Sequence, residues 1–172
     1  TTKEAMLAPT PLKVTKSNGE LIDEVKFILD LIAENDIVLA SGHLNISEIW
    51  PLFDEAKKRG VNRLLCNHPT YVIGASLDDI TRLVGMGAYI EHSMCMFVQR
   101  SKYKFYEPDE LDKMIKAAGV DKTILGSDLG QVGNPSPVDG FRGVINICLE
   151  LGYEENEIRK LISENASKLI GI

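Results

Sequence analysis

Short runs of β-branched and apolar residues alternate with longer amphipathic segments along nearly the whole chain, and this alternation limits the fold more than any other feature. Parallel strands must be joined by a crossover, most often a helix, so the pattern reads as β/α units in which helices cover a parallel sheet. Strands are expected at 12–15, 37–40, 61–66, 87–91 and 122–126, a recurrence of roughly 25 to 35 residues. An irregular stretch broken by Pro9 and Pro11 precedes them.

The intervening helices carry their own signals. Between about 20 and 34, Leu21, Val25, Ile28, Leu29 and Ile32 fall on one face, as an amphipathic helix requires. Ser47 is expected to cap the next helix, which Gly60 closes after Arg59. Ser76, with Asp79 three residues later, makes a short capping box for a third. Pro108 suits the first turn of a helix over 108–118. Two more are expected at about 141–151 and 154–162, after a Gly/Pro-rich loop over 129–140. Periodicity alone leaves two architectures open, an open doubly wound sheet and a closed barrel.

Composition bounds the possible partners. The 172 residues, 44% of them hydrophobic, suffice for one core. The net charge of -6 comes from acidic and basic residues mixed along the chain. Such a chain lacks the basic stripe that collects phosphate backbones, so no nucleic-acid partner is expected. No apolar run approaches the roughly 20 residues of a membrane helix, and no secretory leader pattern opens the sequence. The expectation is therefore a cytoplasmic protein without a membrane partner. Cys66, Cys95 and Cys148 are widely spaced in apolar surroundings, which reads as buried free thiols in a reducing compartment.

The chemistry-bearing residues gather at one place in the repeat. All three histidines, His43, His68 and His92, fall at or just beyond the C-terminal end of an expected strand, as does Asp128. In both parallel architectures that edge is where sites are built, because strand ends converge there and the following loops form walls. Imidazoles and a carboxylate suit Zn²⁺ or a similar divalent ion, and an incomplete ligand set leaves positions for water and substrate.

Four segments carry a family resemblance: Ala40-Ser41-Gly42-His43, Asn67-His68-Pro69, Leu125-Gly126-Ser127-Asp128 and the terminal 165–171 run, Asn-Ala-Ser-Lys-Leu-Ile-Gly. Together they resemble the second half of the amidohydrolase superfamily and its TatD-like relatives, over nearly the whole chain from about residue 12. The resemblance implies a TIM-type (β/α) barrel of which this chain supplies the C-terminal five of eight strands. It implies a hydrolase that uses a metal-activated water on an amide, ester or phosphoester bond of a small-molecule substrate. His43 and His68 would be the fifth- and sixth-strand metal ligands. Asp128 would be the eighth-strand residue, a ligand and the catalytic base. The expected ion is zinc, with manganese, nickel or iron as alternatives.

The departures from that pattern are equally specific. Family members usually open with a His-x-His pair on the first strand, and here no histidine precedes His43. A carboxylated lysine or a glutamate often stands on the fourth, and Lys13, near that place, reads as a solvated or structural residue. The chain is therefore expected to be a single barrel portion lacking its N-terminal strands, completed by a companion segment or by homo-oligomerisation. A catalytically silent fragment serving as an assembly or binding module is the alternative.

Around the expected metal, His92 either lines the substrate pocket or is structural, and Glu91 beside it points to the other face of a regular strand. Gln131 and Asn134 in the loop after Asp128 either orient a substrate oxygen or form an ordinary turn. Arg142 either holds an anionic substrate group or is a surface charge. The aromatic and basic run 100–106 is expected to pack its aromatics on the barrel and solvate its lysines.

Overall fold

The structure is a computed structural model and describes residues 12–172; the stretch through Pro9 and Pro11 lies outside the described residues. Helix α1 (Asp23–Glu34) leads to strand β1 (Leu39–Ala40), then α2 (Ile46–Lys58), β2 (Leu64–Asn67), α3 (Leu77–Gly85) and β3 (Tyr89–Ser93). A single 3₁₀ turn, Met94–Met96, precedes α4 (Pro108–Ala118) and β4 (Thr123–Gly126). The chain ends in α5 (Pro137–Glu150), α6 (Glu155–Arg159) and α7 (Asn165–Ile170), the last two joined through a π turn at Lys160–Glu164.

The four strands form one parallel sheet in the order β1-β2-β3-β4. Each strand therefore lies beside its immediate predecessor, and no strand order reverses. Register divides the side chains between two faces. Leu39, Leu64, Cys66, Ile90, His92, Thr123 and Leu125 share one, while Ala40, Leu65, Asn67, Tyr89, Glu91, Ser93, Ile124 and Gly126 share the other.

The first face is packed. Leu64, Cys66 and Ile90 join Ile49 and Phe53 of α2 and Ile80 and Leu83 of α3 in one cluster, and Leu125 joins Leu111, Ile115, Val144 and Leu161 in a second. Burial of a large apolar side chain contributes about 1.5–3 kcal/mol, so these clusters are the main support of the sheet. On the second face Leu65, Asn67, Tyr89 and Glu91 are half-buried and Ala40 is exposed, while Ser93 and Ile124 are buried.

Three expectations need correction. The segment 12–15 is not a parallel strand: Thr15 makes an isolated antiparallel bridge to Leu21, and the backbone folds back through a turn in which Gly19 N–H donates to Lys16 carbonyl at 3.0 Å. The described sheet accordingly has four strands rather than five. Helix α2 is capped by Asn45, not Ser47; the Asn45 side chain accepts from Ser47 N–H at 3.0 Å, and Glu48 reaches back to the Asn45 N–H at 3.3 Å. The expected helices at 76 onward and at 108–118 are found, with the Ser76–Asp79 box and Pro108 placed as read.

The C-terminal motif has a structural task. Asn165 is buried where the π turn ends, and its side-chain amide donates to the carbonyls of Val120 and Thr123, both at 2.7 Å. One amide thus ties the last helical segment to the start of β4. Cys66, Cys95 and Cys148 are free and buried. No helix among the described residues is long and apolar enough to cross a membrane.

Candidate metal centre at the strand ends

The ends of the four strands are laced to one another beyond the regular ladder. Buried Ser41, after β1, accepts from Asn67 N–H at 3.0 Å through its hydroxyl oxygen and donates its own N–H to Leu65 carbonyl at 2.8 Å. His68 N–H donates to Glu91 carbonyl at 3.1 Å, and Cys95 N–H donates to Ser127 carbonyl at 3.2 Å. The backbone at His68 and beside Asp128 is therefore anchored to the neighbouring strand.

Left-handed backbone aims these side chains. His68 and Asp128 both have φ 45°, and Gly42, just before His43, has φ 56°. Glycine adopts that region without a steric penalty, whereas histidine and aspartate do so at a cost met by the surrounding structure. Pro69 follows His68 directly, and a residue before proline is pushed toward extended backbone, which adds to the constraint.

Two of the expected residues, His43 and Asp128, each approach a third, His68. The rings of His43 and His68 have centroids 5.0 Å apart in an edge-to-face arrangement. Asp128 Oδ2 lies 3.8 Å from His68 Nδ1. Two imidazoles holding one ion through nitrogens at about 2.0–2.1 Å place their ring centres about 5 Å apart, so the histidine pair has a spacing that suits a shared ion. Asp128 faces the Nδ1 edge of His68, and among the described residues no three His, Cys, Asp or Glu side chains converge as a ready-made cage.

Two residues that the sequence does not assign to the site, Ser93 and Cys95, complete the surroundings. Ser93, 1% exposed, places its hydroxyl oxygen 2.6 Å from His68 Nδ1. Buried Cys95 donates its thiol proton to Asp128 Oδ2 at 3.5 Å. Burial and the nearby Asp128 carboxylate push that thiol up to about 12, so at neutral pH it stays a donor. The overlooked signal was strand length. Strand β3 runs to Ser93, and alternation then puts Ser93 on the face of Glu91.

The remaining candidates separate. His92 shares the helix-packed face with Ile90 and is 2% exposed, so it does not line the open rim. Its Nε2 has no partner among the described residues, and burial lowers its pKa to about 4. Gln131 donates to Asp128 carbonyl at 3.3 Å and accepts from the Asn134 amide at 2.7 Å, so this pair braces the loop after Asp128. Asn134 also accepts from Lys102 N–H at 3.0 Å, which ties the loop to the 100–106 run. Arg142 is exposed on α5 and pairs with Asp139 at 3.3 Å; Lys13 is exposed.

In the 100–106 run, Tyr106 stacks on buried Phe97, but Phe105 stays half exposed and stacks on Tyr71 with centroids 4.3 Å apart. Only part of that run packs inward as expected. Below the rim, Asn67 donates to Glu91 through its side-chain amide, and a Cβ at Gly126 would collide with the Glu91 carboxylate. Only glycine leaves that carboxylate its space. A separate groove between 97–108 and α5 is lined by Arg100, Lys104, Glu107, Asn134 and Asp139, and does not include the histidines.

No curated protein matches the chain. Its first half answers to a recognised sequence family: the chain belongs to DUF6282, a family of unknown function whose model matches residues 1–91. That match takes in His43 and His68 and ends at Glu91, before Asp128.

Proposed function

We propose that this chain forms the C-terminal part of a (β/α) barrel hydrolase of amidohydrolase type, in which His43 and His68 hold a divalent ion and Asp128 serves beside them. The observation that carries the reading is the approach of His43 and Asp128, from separate strand ends, to His68, with His43 and His68 centroids 5.0 Å apart and Asp128 Oδ2 3.8 Å from His68 Nδ1. The strand order supports it. Right-handed crossovers between successive neighbours keep all helices on one side, the winding of a barrel wall, whereas a doubly wound sheet requires a reversal. Among the described residues β1 and β4 are the outer strands of the sheet, and their outer edges are where further strands, from elsewhere in a longer polypeptide or from another copy, would add.

When bound, zinc or a related ion would lower the pKa of water held at the rim from about 15.7 to about 7. Asp128 has the character of the base. Its Oδ2 is occupied by the Cys95 thiol, so the second carboxylate oxygen is available to accept a proton from water and return it to a leaving group. Substrate oxygen atoms would meet the loop braced by Gln131 and Asn134. Asp139 already occupies Arg142, which weakens any role for that arginine in holding an anion.

Metal analysis of the purified protein tests the proposal. We expect zinc, manganese, nickel or iron in the unsubstituted protein and none in a His43→Ala, His68→Ala double variant. Absence of all four metals from the unsubstituted protein, before and after incubation with each, would overturn it.

A second reading has its own support. Helix α1 exposes Phe27 at 62% and Leu31 at 42%, an apolar face suited to burial against another copy. A silent module that assembles through this side would show a defined oligomer and no metal-dependent turnover in a broad hydrolase screen. Metal-dependent turnover excludes it.

A further inference from the structure

We infer that Ser93 is a positioning residue that fixes the proton of His68 on Nδ1 and thereby presents the Nε2 lone pair to whatever ligand the rim accepts. The inference deepens the proposed metal site and names a residue that the family pattern does not supply. It starts from one contact. Ser93 Oγ lies 2.6 Å from His68 Nδ1, and Ser93 is 1% exposed, so the hydroxyl oxygen is held by the sheet rather than by solvent.

A neutral imidazole carries one N–H and one lone pair, and the hydrogen bond made at one nitrogen decides the state of the other. At His68 Nδ1 the Ser93 hydroxyl, 2.6 Å away, can donate or accept, whereas Asp128 Oδ2, at 3.8 Å, can only accept when ionised, so the carboxylate decides between the two. The negative carboxylate repels a lone pair and attracts an N–H, so the two together favour the proton on Nδ1. Nε2 is left unprotonated. An ion-binding histidine needs that state, because the ligating atom must offer a lone pair while its other nitrogen donates to a fixed acceptor.

The backbone makes the arrangement stiff. Ser93 is the last residue of β3 and pairs in register with Gly126 of β4. His68 N–H is held by Glu91 carbonyl two residues before Ser93, so His68 is bound to the same strand by main chain and side chain at once. The left-handed φ of His68 then has a reason: it turns the ring back across β3 toward the hydroxyl.

Nitrogen-15 NMR of the histidine rings, in a long-range proton correlation recorded at about pH 8, above the ordinary histidine range, reads the tautomer of His68 directly without any metal. We expect the Nδ1–H form in the unsubstituted protein and in Ser93→Thr, and a shift toward Nε2–H in Ser93→Ala. Zinc affinity should fall about 10- to 100-fold in Ser93→Ala and recover in Ser93→Thr. An Nε2–H signal in the unsubstituted protein, or an unchanged tautomer in Ser93→Ala, overturns the inference, and the first of these needs no variant to fold. If zinc does not bind although the tautomer behaves as expected, the metal proposal falls and the role of Ser93 stands.

Discussion

Asp128 and His68 sit where side chains are sterically expensive, and this separates their contribution to stability from their contribution to chemistry. Asp128→Gly relieves the left-handed strain while loosening the unfolded chain, so its unfolding free energy should stay within about 0.5 kcal/mol of the parent. Asp128→Val places a β-branched residue at φ 45° and should lose about 1–2 kcal/mol, measured by urea denaturation. Both should abolish any metal-dependent activity. His92 makes the opposite case, a residue whose effect is all stability. Its folded pKa is lowered by burial from 6.5 to about 4, so between those values the unfolded chain binds a proton that the folded chain refuses. Stability conferred by the neutral ring is intact above pH 6.5 and is lost as pH falls toward 4, by about 3 kcal/mol in all. The difference in unfolding free energy between the parent and His92→Leu should shrink or reverse across that window, and a flat difference would show that His92 is not buried as a neutral ring. His43, His68 and Asp128 were legible in the sequence because each follows an apolar run that could only be a strand. The burial of His92 was half legible, since alternation already set it against Glu91. Ser93 was not, because the strand was ended two residues too soon, and Cys95 was legible as a buried thiol but not as a neighbour of Asp128.

Among the elements, the helix starts are where sequence chemistry is most explicit. Asn45 accepts from Ser47 N–H and Glu48 answers it, so Asn45→Ala should cost about 1 kcal/mol in a urea titration, while Ser47→Ala should cost less. The two residues compete for the cap in the sequence, and the glutamate three positions after Asn45 decides between them; no acid stands three after Ser47. Helix α4 was readable to its ends because Pro108 suits its first turn and Gly119 follows its last residue. The segment 12–15 misled for a physical reason: its turn through Ser17, Asn18 and Gly19 is so short that a local bridge to Leu21 forms in place of a ladder with a distant strand. The C-terminal motif was legible as a landmark but not as a device. Asn165→Ala would leave two carbonyls, those of Val120 and Thr123, without that donor in the interior, and should lose about 2–4 kcal/mol of stability.

For the whole molecule, the exposed apolar side chains of α1 predict where association occurs. If another copy covers the exposed face of α1, replacing both Phe27 and Leu31 with Lys should shift sedimentation toward monomer while leaving the far-ultraviolet circular dichroism unchanged. An unchanged sedimentation profile would mean that α1 is not the contact. The sheet order carries one more consequence. Because every strand docks on the one synthesised just before it, a ribosome would deliver each β/α unit to a template already waiting, and no strand need be held open for a later partner. A circular permutant that begins at β3 and presents β2 last would break that schedule, and its refolding should be slower than the parent's even where its final stability is the same.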